Sequence, residues 1–349
     1  MRYTCIDSFS GAGGLSLGLK NAGFDTILSF DIDDKCIKTI RQNQKYFHHP
    51  SLVSDISDML NGKMLQLCNL KKGELFLLAG GPPCQGFSVQ RRGEDTDNRN
   101  DLVLKYGQLV QEVYPCFFMM ENVSGITGKR GEKILNHLVE NMRNIGYTVH
   151  MKLLDAQDYG VPQRRKRIIL IGERNDMGSD YKFPEASPER RTVRDTIGFL
   201  PPPPQDGKDH QNIPLHRRDK LSSLNIQRLK ALKQGEGRDS LPPELLAECH
   251  KIDSSVIGYR NVYGRMVWDE VAPTITARFD SFTRGKFGHP EQLRSISLRE
   301  GAMLQTFPQD FMFVGTKVEV ARQIGNAVPP ILGEKIGRSI VEYFESRGC

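Results

Sequence analysis

A single cysteine in a proline-rich turn is the residue of this chain best suited to covalent chemistry. Residues 80–88 read GGPPCQGFS, and the apolar run at 75–79 that precedes them predicts a buried strand. Prolines fix φ and glycines permit tight turns, so this loop presents the thiol of Cys84 in a defined place. A thiol at the end of a strand is a candidate nucleophile, although an isolated Pro-Cys pair more often belongs to a structural turn.

A glycine-rich loop near the N-terminus forms a second candidate site. Residues 7–14 read DSFSGAGG, follow the first predicted strand and open the first predicted helix. Glycines let a ligand approach the backbone closely, and a helix N-terminus offers unpaired N–H groups. Asp31 lies about 20 residues beyond the loop, at the end of the second predicted strand, where a carboxylate suits the two hydroxyls of a ribose. The loop residues that could line such a ligand are Gly11, Ala12, Gly13 and Gly14.

This loop favours S-adenosylmethionine over a dinucleotide. A nicotinamide or flavin fingerprint needs glycine or alanine at position 16, where the chain has Ser16. Asp7 would repel a pyrophosphate, whereas S-adenosylmethionine has a ribose and no phosphate. Asp55 and Ile56, at the end of the third predicted strand, could hold its adenine. The carboxylate would accept from the exocyclic amine, and the aliphatic side chain would cover the ring.

Further polar residues lie near the ends of later predicted strands. Glu121 follows an apolar run at 116–120 and is a candidate acid, but helix capping or an ion pair would explain it better if it stood alone. Arg165 and Arg167 stand two residues apart at the start of another predicted strand. Alternate residues of a strand face the same side, so both guanidinium groups could point into one site. A solvated basic surface is the alternative.

Alternating strands and helices must position these residues. Up to about residue 175 the pattern predicts an α/β domain with a parallel, doubly wound, Rossmann-like sheet. Strands are predicted at 3–9, 26–30, 52–56, 74–79, 116–120, 147–154 and 167–172. Helices are predicted at 15–22, 33–43, 102–112, 132–145, 297–304 and 331–344.

A change of composition near residue 183 predicts a second, smaller and irregular domain. Residues 183–293 are rich in Pro, Arg, Gln and Ser, and residues 201–204 are four prolines that must be extended. Residues 258–278 suggest short strands and turns. We therefore divide the chain at 1–182, 183–293 and 294–349, with the last helix packing back onto the first domain.

Bulk composition indicates an ordinary soluble protein. The chain has 349 residues and a net charge of +6, which is compatible with a polyanionic partner without demonstrating one. Its seven cysteines include no CxxC pair, so neither a disulfide framework nor a structural metal site is predicted. We recognise no signal peptide and no membrane-spanning run, and expect a cytoplasmic protein.

Six sequence blocks, in order along the whole chain, resemble the motifs of the DNA (cytosine-5)-methyltransferases. They are residues 9–14 (FSGAGG), 81–88 (GPPCQGFS), 121–123 (ENV), 157–167 (QDYGVPQRRKR), 299–308 (REGAMLQTFP) and 323–330 (QIGNAVPP). Only 183–293 lacks a long match, and in this family that region is the variable target-recognition domain. Within it, residues 274–278 (TITAR) resemble a short motif near the end of that domain.

The resemblance implies a reaction and roles for individual residues. A methyl group would pass from S-adenosylmethionine to carbon 5 of a flipped-out cytosine in a short, specific sequence of double-stranded DNA, while Cys84 adds covalently to carbon 6. Glu121 would contact N3 and the exocyclic amine of the base, and the planar guanidinium of Arg165 or Arg167 suits the cytosine O2 or a phosphate. Asn122 would orient the loop. Other cofactor contacts implied by the family are Phe9, Ile32, Pro83, Leu102 and Asn326; some members carry tryptophan where this chain has Ile32.

Three other interpretations stay open. Enzymes of the same fold methylate cytosine in tRNA, but that branch typically lacks the glycine found here as Gly86. A silent DNA-binding regulator would not need Cys84, Glu121 and Arg167, and Ser16 disfavours an oxidoreductase. For an enzyme of the bacterial restriction-modification type we expect a monomer in the cytoplasm or nucleoid, without a metal or a membrane. Any cognate restriction endonuclease would act independently.

Overall fold

The protein folds into two compact units. The computed structural model describes residues 3–83, 101–129, 131–248 and 262–348. The first unit comprises Met1–Asp155, Lys166–Ala186 and Val328–Cys349, and the second comprises Ala156–Arg165 and Ser187–Ala327. The boundary between residues 186 and 187 lies close to the one expected at 182/183. We expected residues 294–349 to be a hinge and a C-terminal segment that returns to the first domain, but residues 294–327 group with the second unit.

A seven-stranded sheet forms the centre of the first unit. Its strands are β1 (Thr4–Ser8), β2 (Asp25–Asp31), β3 (Ser51–Val53), β4 (Leu77–Gly80), β5 (Phe117–Val123), β6 (Tyr147–Asp155) and β7 (Lys166–Arg174). Across the sheet they follow the order β3-β2-β1-β4-β5-β7-β6. This confirms the α/β, Rossmann-like fold class and all seven predicted strands.

One strand corrects the expectation of a wholly parallel sheet. The pairs among β1 to β5 are parallel, but β7 is antiparallel to both β5 and β6. A parallel neighbour needs a crossover connection, usually a helix, that returns the chain to the starting edge. Residues 156–165, which connect β6 to β7, group with the second unit and provide no such crossover.

Ten α-helices are present in the described residues. They are α1 (Gly14–Asn21), α2 (Asp34–Gln42), α3 (Lys63–Cys68), α4 (Asp101–Val113), α5 (Glu132–Asn144), α6 (Val193–Ile197), α7 (Ser223–Ala231), α8 (Leu298–Leu304), α9 (Lys317–Asn326) and α10 (Pro330–Ser346). The predictions missed α3, α6, α7 and α9. The sequence does signal α9, because Thr316 and Glu319 form a capping box at its start.

The last helix, which we expected to pack back onto the first domain, packs against α1. Gly18 of α1 makes this possible, since a Cβ there would lie 2.4 Å from the carbonyl oxygen of Pro330. A Cβ on Gly337 of α10 would likewise lie 2.8 Å from the Cβ of Ala22. The C-terminal helix therefore belongs to the sheet unit.

A tyrosine in the core links the two central strands. Tyr106 of α4 is fully buried, and its hydroxyl lies 3.0 Å from the carbonyl oxygen of Leu78 and 2.8 Å from that of Met119. A buried tyrosine hydroxyl needs a polar partner, and here the partners lie on β4 and β5. The Cys84 loop follows β4, and Glu121 lies near the end of β5.

The second unit contains little regular sheet. Among its described residues, β-structure is limited to isolated bridges such as those joining Arg265 to Gly288 and Gln163 to Ala272. Residues 262–278 thus form turns and bridges rather than the short strands expected, while 258–261 lie outside the described residues. No helix in the described ranges has the length and apolar character needed to cross a bilayer.

Candidate active site

The candidate residues of the first unit follow strands that end at one edge of the sheet. β1, β2, β4 and β5 are parallel, so their carboxyl ends lie together. The glycine loop follows β1, Asp31 ends β2, and the Pro82–Pro83 turn follows β4. Glu121 lies near the end of β5. Ligands of open α/β sheets bind in the crevice outside such strand ends.

The glycine loop has backbone angles that few side chains tolerate. Gly11 and Gly13 have φ angles of 52° and 83°, and Phe9 has a φ of 55°. A Cβ on Gly13 would lie 2.7 Å from the ring of Phe47, whereas one on Gly11 would meet nothing within 4 Å. A non-glycine residue at positive φ is strained, and such strain is concentrated at functional sites. Of the remaining loop residues, Ala12 is buried and Gly14 begins α1.

A buried carboxyl group fastens this loop to the first helix. Asp7 is 1% exposed, and its Oδ2 accepts from the hydroxyl of Ser16 at 2.5 Å. Burial raises the pKa of Asp7 to about 7, and the hydrogen bonds from Ser16 only partly oppose that rise. Ser16, which disfavoured a dinucleotide in the sequence, thus has a structural partner that the sequence analysis missed.

Asp31 lies where a ribose-binding carboxylate was expected. Its Oδ2 accepts from the backbone N–H of Gly11 at 2.8 Å, and its Oδ1 accepts from the N–H of Asp33 at 2.8 Å. These bonds fix the carboxylate beside the glycine loop. The next residue, Ile32, is 69% exposed.

Of the two residues expected to hold an adenine after the third strand, Asp55 and Ile56, only Asp55 is partly exposed. The Asp55 carboxylate accepts from the N–H of Ser57 at 2.8 Å. Hydrogen bonds from the side chain and the backbone of Ser57 lower the pKa of Asp55. The side chain of Ile56, however, is 2% exposed and packs in the core under β1 and β2. It does not present the open aliphatic face that was expected to cover an adenine.

Asn122 holds the turn that leads to Cys84. Its Nδ2 donates to the carbonyl oxygen of Pro82 at 3.1 Å, while its Oδ1 accepts from the N–H of Val123 at 2.9 Å. Asn122 is 2% exposed, so the pairing is shielded from water. Pro83 is the last residue described before the gap, and Cys84 itself lies outside the described residues.

Glu121 and Arg167 form an ion pair at the same edge of the sheet. Glu121 is paired with Ile169 in the β5–β7 register, so Arg167, two residues from Ile169 along β7, lies on the same face. The Nε of Arg167 lies 2.7 Å from Oε1 of Glu121, and the side chains are 14% and 11% exposed. On the other side, a Cβ on Gly81 would lie 3.4 Å from Oε2 of Glu121.

Arg165 does not share this arrangement. β7 begins only at Lys166, and Arg165 is 1% exposed within the second unit. Its guanidinium donates to the carbonyl oxygens of Ile275, Gly325 and Ala327 at 3.0–3.1 Å. The expectation that both arginines point into one site is therefore wrong for Arg165, because the two-residue spacing carries that meaning only inside a strand.

The remaining expected contacts are divided between the units. Leu102, in the first turn of α4, packs at the margin of the first unit's core, as does Phe9. Asn326 ends α9 in the second unit, with its side chain exposed. Within the described ranges, no group of three or more His, Cys, Asp or Glu residues is arranged to hold a metal ion.

Comparison with known proteins gives a consistent picture. The family model described as C-5 cytosine-specific DNA methylase matches residues 3–342. The type II methylase M.HgiDII of Herpetosiphon aurantiacus is 36% identical over 97% of this chain and 95% of its own length. The type II methyltransferase M1.HphI of Haemophilus parahaemolyticus is 34% identical over 98% of this chain and 87% of its own length.

Solved structures agree with these matches. A protein described as a DNA modification methyltransferase encoded within an E. coli prophage superposes with a TM-score of 0.72 and 27% identity, covering 98% of this chain and 99% of that one. The Dnmt2 methyltransferase of S. pombe gives a TM-score of 0.60 at 17% identity, covering the whole of both chains, and at that identity shares the fold alone.

Proposed function

The chain belongs to the C-5 cytosine-specific DNA methylases, and from that premise we propose that it methylates carbon 5 of cytosine in double-stranded DNA, with S-adenosylmethionine as the methyl donor. The observation that carries the proposal is the Glu121–Arg167 pair at 2.7 Å, next to the turn held by Asn122. That turn leads directly to Cys84.

The chemistry follows from the weak nucleophilicity of carbon 5 in an aromatic ring. Addition of the Cys84 thiolate to carbon 6 breaks the aromaticity and makes carbon 5 resemble an enamine carbon. The carboxyl group of Glu121 holds a proton at N3 and so stabilises the charge pushed onto the ring. After methylation, loss of the carbon 5 proton and expulsion of Cys84 restore the aromatic cytosine.

Arg167 supports this step in two ways. Its contact with Oε1 orients the Glu121 carboxyl group, and the planar guanidinium can also donate to O2 of the base. Arg165 has a different task, since it holds backbone carbonyls in the second unit. We therefore assign substrate contact to Arg167 alone.

The residues of the first unit suit S-adenosylmethionine. Asp31 can accept from the ribose hydroxyls, and the exposed side chain of Ile32 can cover the adenine from outside. Asp55 can accept from the exocyclic amine. When bound, S-adenosylmethionine supplies the methyl group. Further contacts proposed from the family motifs are Phe9, Gly11, Ala12, Gly13, Gly14, Pro83, Leu102 and Asn326.

A cytosine must leave the double helix to reach Cys84. Extrusion costs a few kcal/mol of unstacking, which contacts in the pocket repay. We assign recognition of the DNA sequence to the second unit. Since the named relatives are type II methylases, we place the enzyme in restriction-modification, where an endonuclease of the same specificity would act separately.

Methylation mapping tests this function. Purified protein is incubated with S-adenosylmethionine and a mixed-sequence duplex DNA, and 5-methylcytosine is located by sequencing. We expect methylation confined to one short motif and none with Cys84→Ala. Methylation of tRNA but not of DNA would favour the tRNA enzyme, and cofactor binding without any methylation would favour a silent regulator.

A further inference from the structure

A polar cavity within the second unit lies apart from the residues assigned above. It has a volume of about 230 Å³ and is bordered by the start of α7, by residues 278–283 and by the first residue of α9. Arg278, the last residue of the TITAR segment at 274–278, lines this cavity. The sequence alone assigned no role to that segment.

Cations and hydroxyls converge on the cavity. Lys220, Arg278 and Lys317 line it together with the hydroxyls of Ser281 and Thr283. The two hydroxyl oxygens lie 3.1 Å apart. Side chains of these types make most protein contacts to the phosphates of DNA, because they offer charge and hydrogen-bond donors without reading a base.

Two acids also line the cavity, but both are engaged by the cations. Asp280 is 5% exposed and lies 3.2 Å from Nε of Arg278 and 3.4 Å from Nζ of Lys317. Asp219 pairs with Lys317 as well. Arg278 keeps 47% of its side chain exposed, and Lys220 makes no ion pair in the described part of the chain. The lining therefore carries one more positive than negative charge.

A clamp of hydrogen bonds holds the backbone at Thr274 and Ile275, just before Arg278. The hydroxyl of Thr274 donates to the carbonyl of Arg164 at 2.5 Å, and the N–H of Ile275 donates to Oε1 of Gln163 at 3.0 Å. The carbonyl of Ile275 accepts in turn from Arg165. Arg278, which lies three residues after Ile275, lines the cavity.

We propose that this Lys220/Arg278 pocket seats one backbone phosphate of the duplex and thereby sets the register of the second unit on DNA. The inference rests on the proposed function, because it presupposes a DNA substrate. A single phosphodiester charge matches the excess of one positive charge. The pocket would contribute affinity equally for every sequence and would not itself discriminate between bases.

Salt dependence of binding to a mixed-sequence 30-base-pair duplex tests the proposal. Fluorescence anisotropy gives the affinity of the full-length protein between 50 and 200 mM NaCl. Each cation that neutralises a phosphate adds about one to the slope of log K against log salt concentration. We expect the slope of Lys220→Gln to be shallower by about one than that of the wild type. Arg278→Gln should show the same change.

Lys230→Gln is the matched control. It removes the same charge from an exposed lysine at the other end of α7. We expect its slope to equal that of the wild type. A Lys220→Gln slope equal to that of Lys230→Gln would overturn the pocket alone, provided that the wild type binds the duplex. A wild type that fails to bind duplex DNA would overturn the proposed function as well.

Inorganic phosphate at constant ionic strength separates a DNA site from a site for free phosphate. If 10 mM phosphate raises the melting temperature of the wild type but not of Lys220→Gln, and the DNA slopes of the two proteins coincide, the pocket binds the free anion and the proposal is wrong. A Lys220→Gln slope that remains shallower in the presence of phosphate supports the DNA assignment.

Discussion

The two units satisfy their backbone groups in different ways. In the first unit, carbonyls and N–H groups pair between strands of one sheet. In the second, buried arginines take over much of this task. Arg265 donates to the carbonyls of Leu229, Leu232 and His289, and Arg299 donates to those of Pro214, Pro308 and Phe311. A guanidinium carries five donors in a fixed plane, so one side chain can join several loops.

Buried acids show the same contrast. Asp7 of the first unit has hydroxyl and backbone partners only, and burial raises its pKa to about 7. Glu300 of the second unit is also buried, which alone would raise its pKa. Arg294 outweighs that effect with two contacts of 2.7 Å and holds the pKa at about 2. The sheet unit thus shelters a carboxyl group that favours its neutral form, whereas the arginine-linked unit depends on a charged one.

Removing a buried guanidinium should have the largest effect. We expect Arg265→Met to destabilise the second unit by about 5 kcal/mol, since several buried carbonyls lose their donor together. Trp268, the single tryptophan, is 6% exposed in the second unit, so its fluorescence during urea unfolding reports on that unit. Arg191→Met, at an exposed position, is the control. Equal stability of the two variants would contradict the assigned role of Arg265.

The pKa of Asp7 predicts that the first unit is more stable in mild acid. Its folded pKa of about 7 exceeds the usual 3.8, so its contribution is complete below pH 3.8 and is lost as pH rises to 7. The full change is roughly 4 kcal/mol. Hydrogen exchange of β1 and α1 peptides between pH 4 and 8, corrected for intrinsic rates, should show this decline in the wild type. Asp7→Asn should abolish it, and Asp34→Asn should not; a decline that persists in Asp7→Asn would refute the assignment.

The pKa of Glu300 predicts the opposite pH dependence for the second unit, whose stability should fall in acid. Its folded pKa of about 2 lies below the usual 4.5, so its contribution is present above pH 4.5 and is lost as pH falls towards 2. Urea unfolding followed by Trp268 fluorescence should show a loss of roughly 3 kcal/mol over that range in the wild type. At pH 7, Glu300→Gln should have a lower free energy of unfolding than the wild type, and it should lose little of that free energy as the pH falls. Glu189→Gln should behave like the wild type. Equal slopes in all three proteins would count against the Arg294–Glu300 pairing.

Glu121→Gln should lower the rate of methyl transfer by about 100-fold with little change in stability. Glutamine keeps the size of the side chain but can neither ionise nor hand a proton to N3. Single-turnover methylation and thermal unfolding, with the exposed Glu140→Gln as control, separate the two effects. A wild-type rate for Glu121→Gln would remove its role as an acid.

The sequence predicted the first unit far better than the second. Short apolar runs marked the central strands, because a sheet that is covered on both faces requires apolar side chains on both sides of each strand. The antiparallel direction of β7 was missed, because the direction of that strand depends on where the connecting residues 156–165 pack. In the second unit, Arg165, Arg265 and Arg299 are buried, although charged side chains usually lie at the surface. No periodicity marks an arginine that bonds to distant carbonyls.

The candidate site shows the same limit on a smaller scale. Asp31 was placed correctly at a strand end next to the glycine loop, since loop and strand order follow from local patterns. Ile56 and Arg165 were not, because the direction of a side chain depends on packing beyond its own element. Asn122, which we expected to orient the Cys84 loop, does contact Pro82.

The most direct test of the account is to trap the covalent bond between enzyme and base. Duplex DNA with 5-fluorocytosine in place of every cytosine is incubated with the enzyme and S-adenosylmethionine, digested, and analysed by peptide mass spectrometry. Fluorine at carbon 5 cannot leave as the proton does, so expulsion of the nucleophile stops. The account predicts one DNA-linked peptide, modified at Cys84 and absent from Cys84→Ala. Methylation of ordinary DNA without such an adduct, or an adduct on another residue, would contradict it.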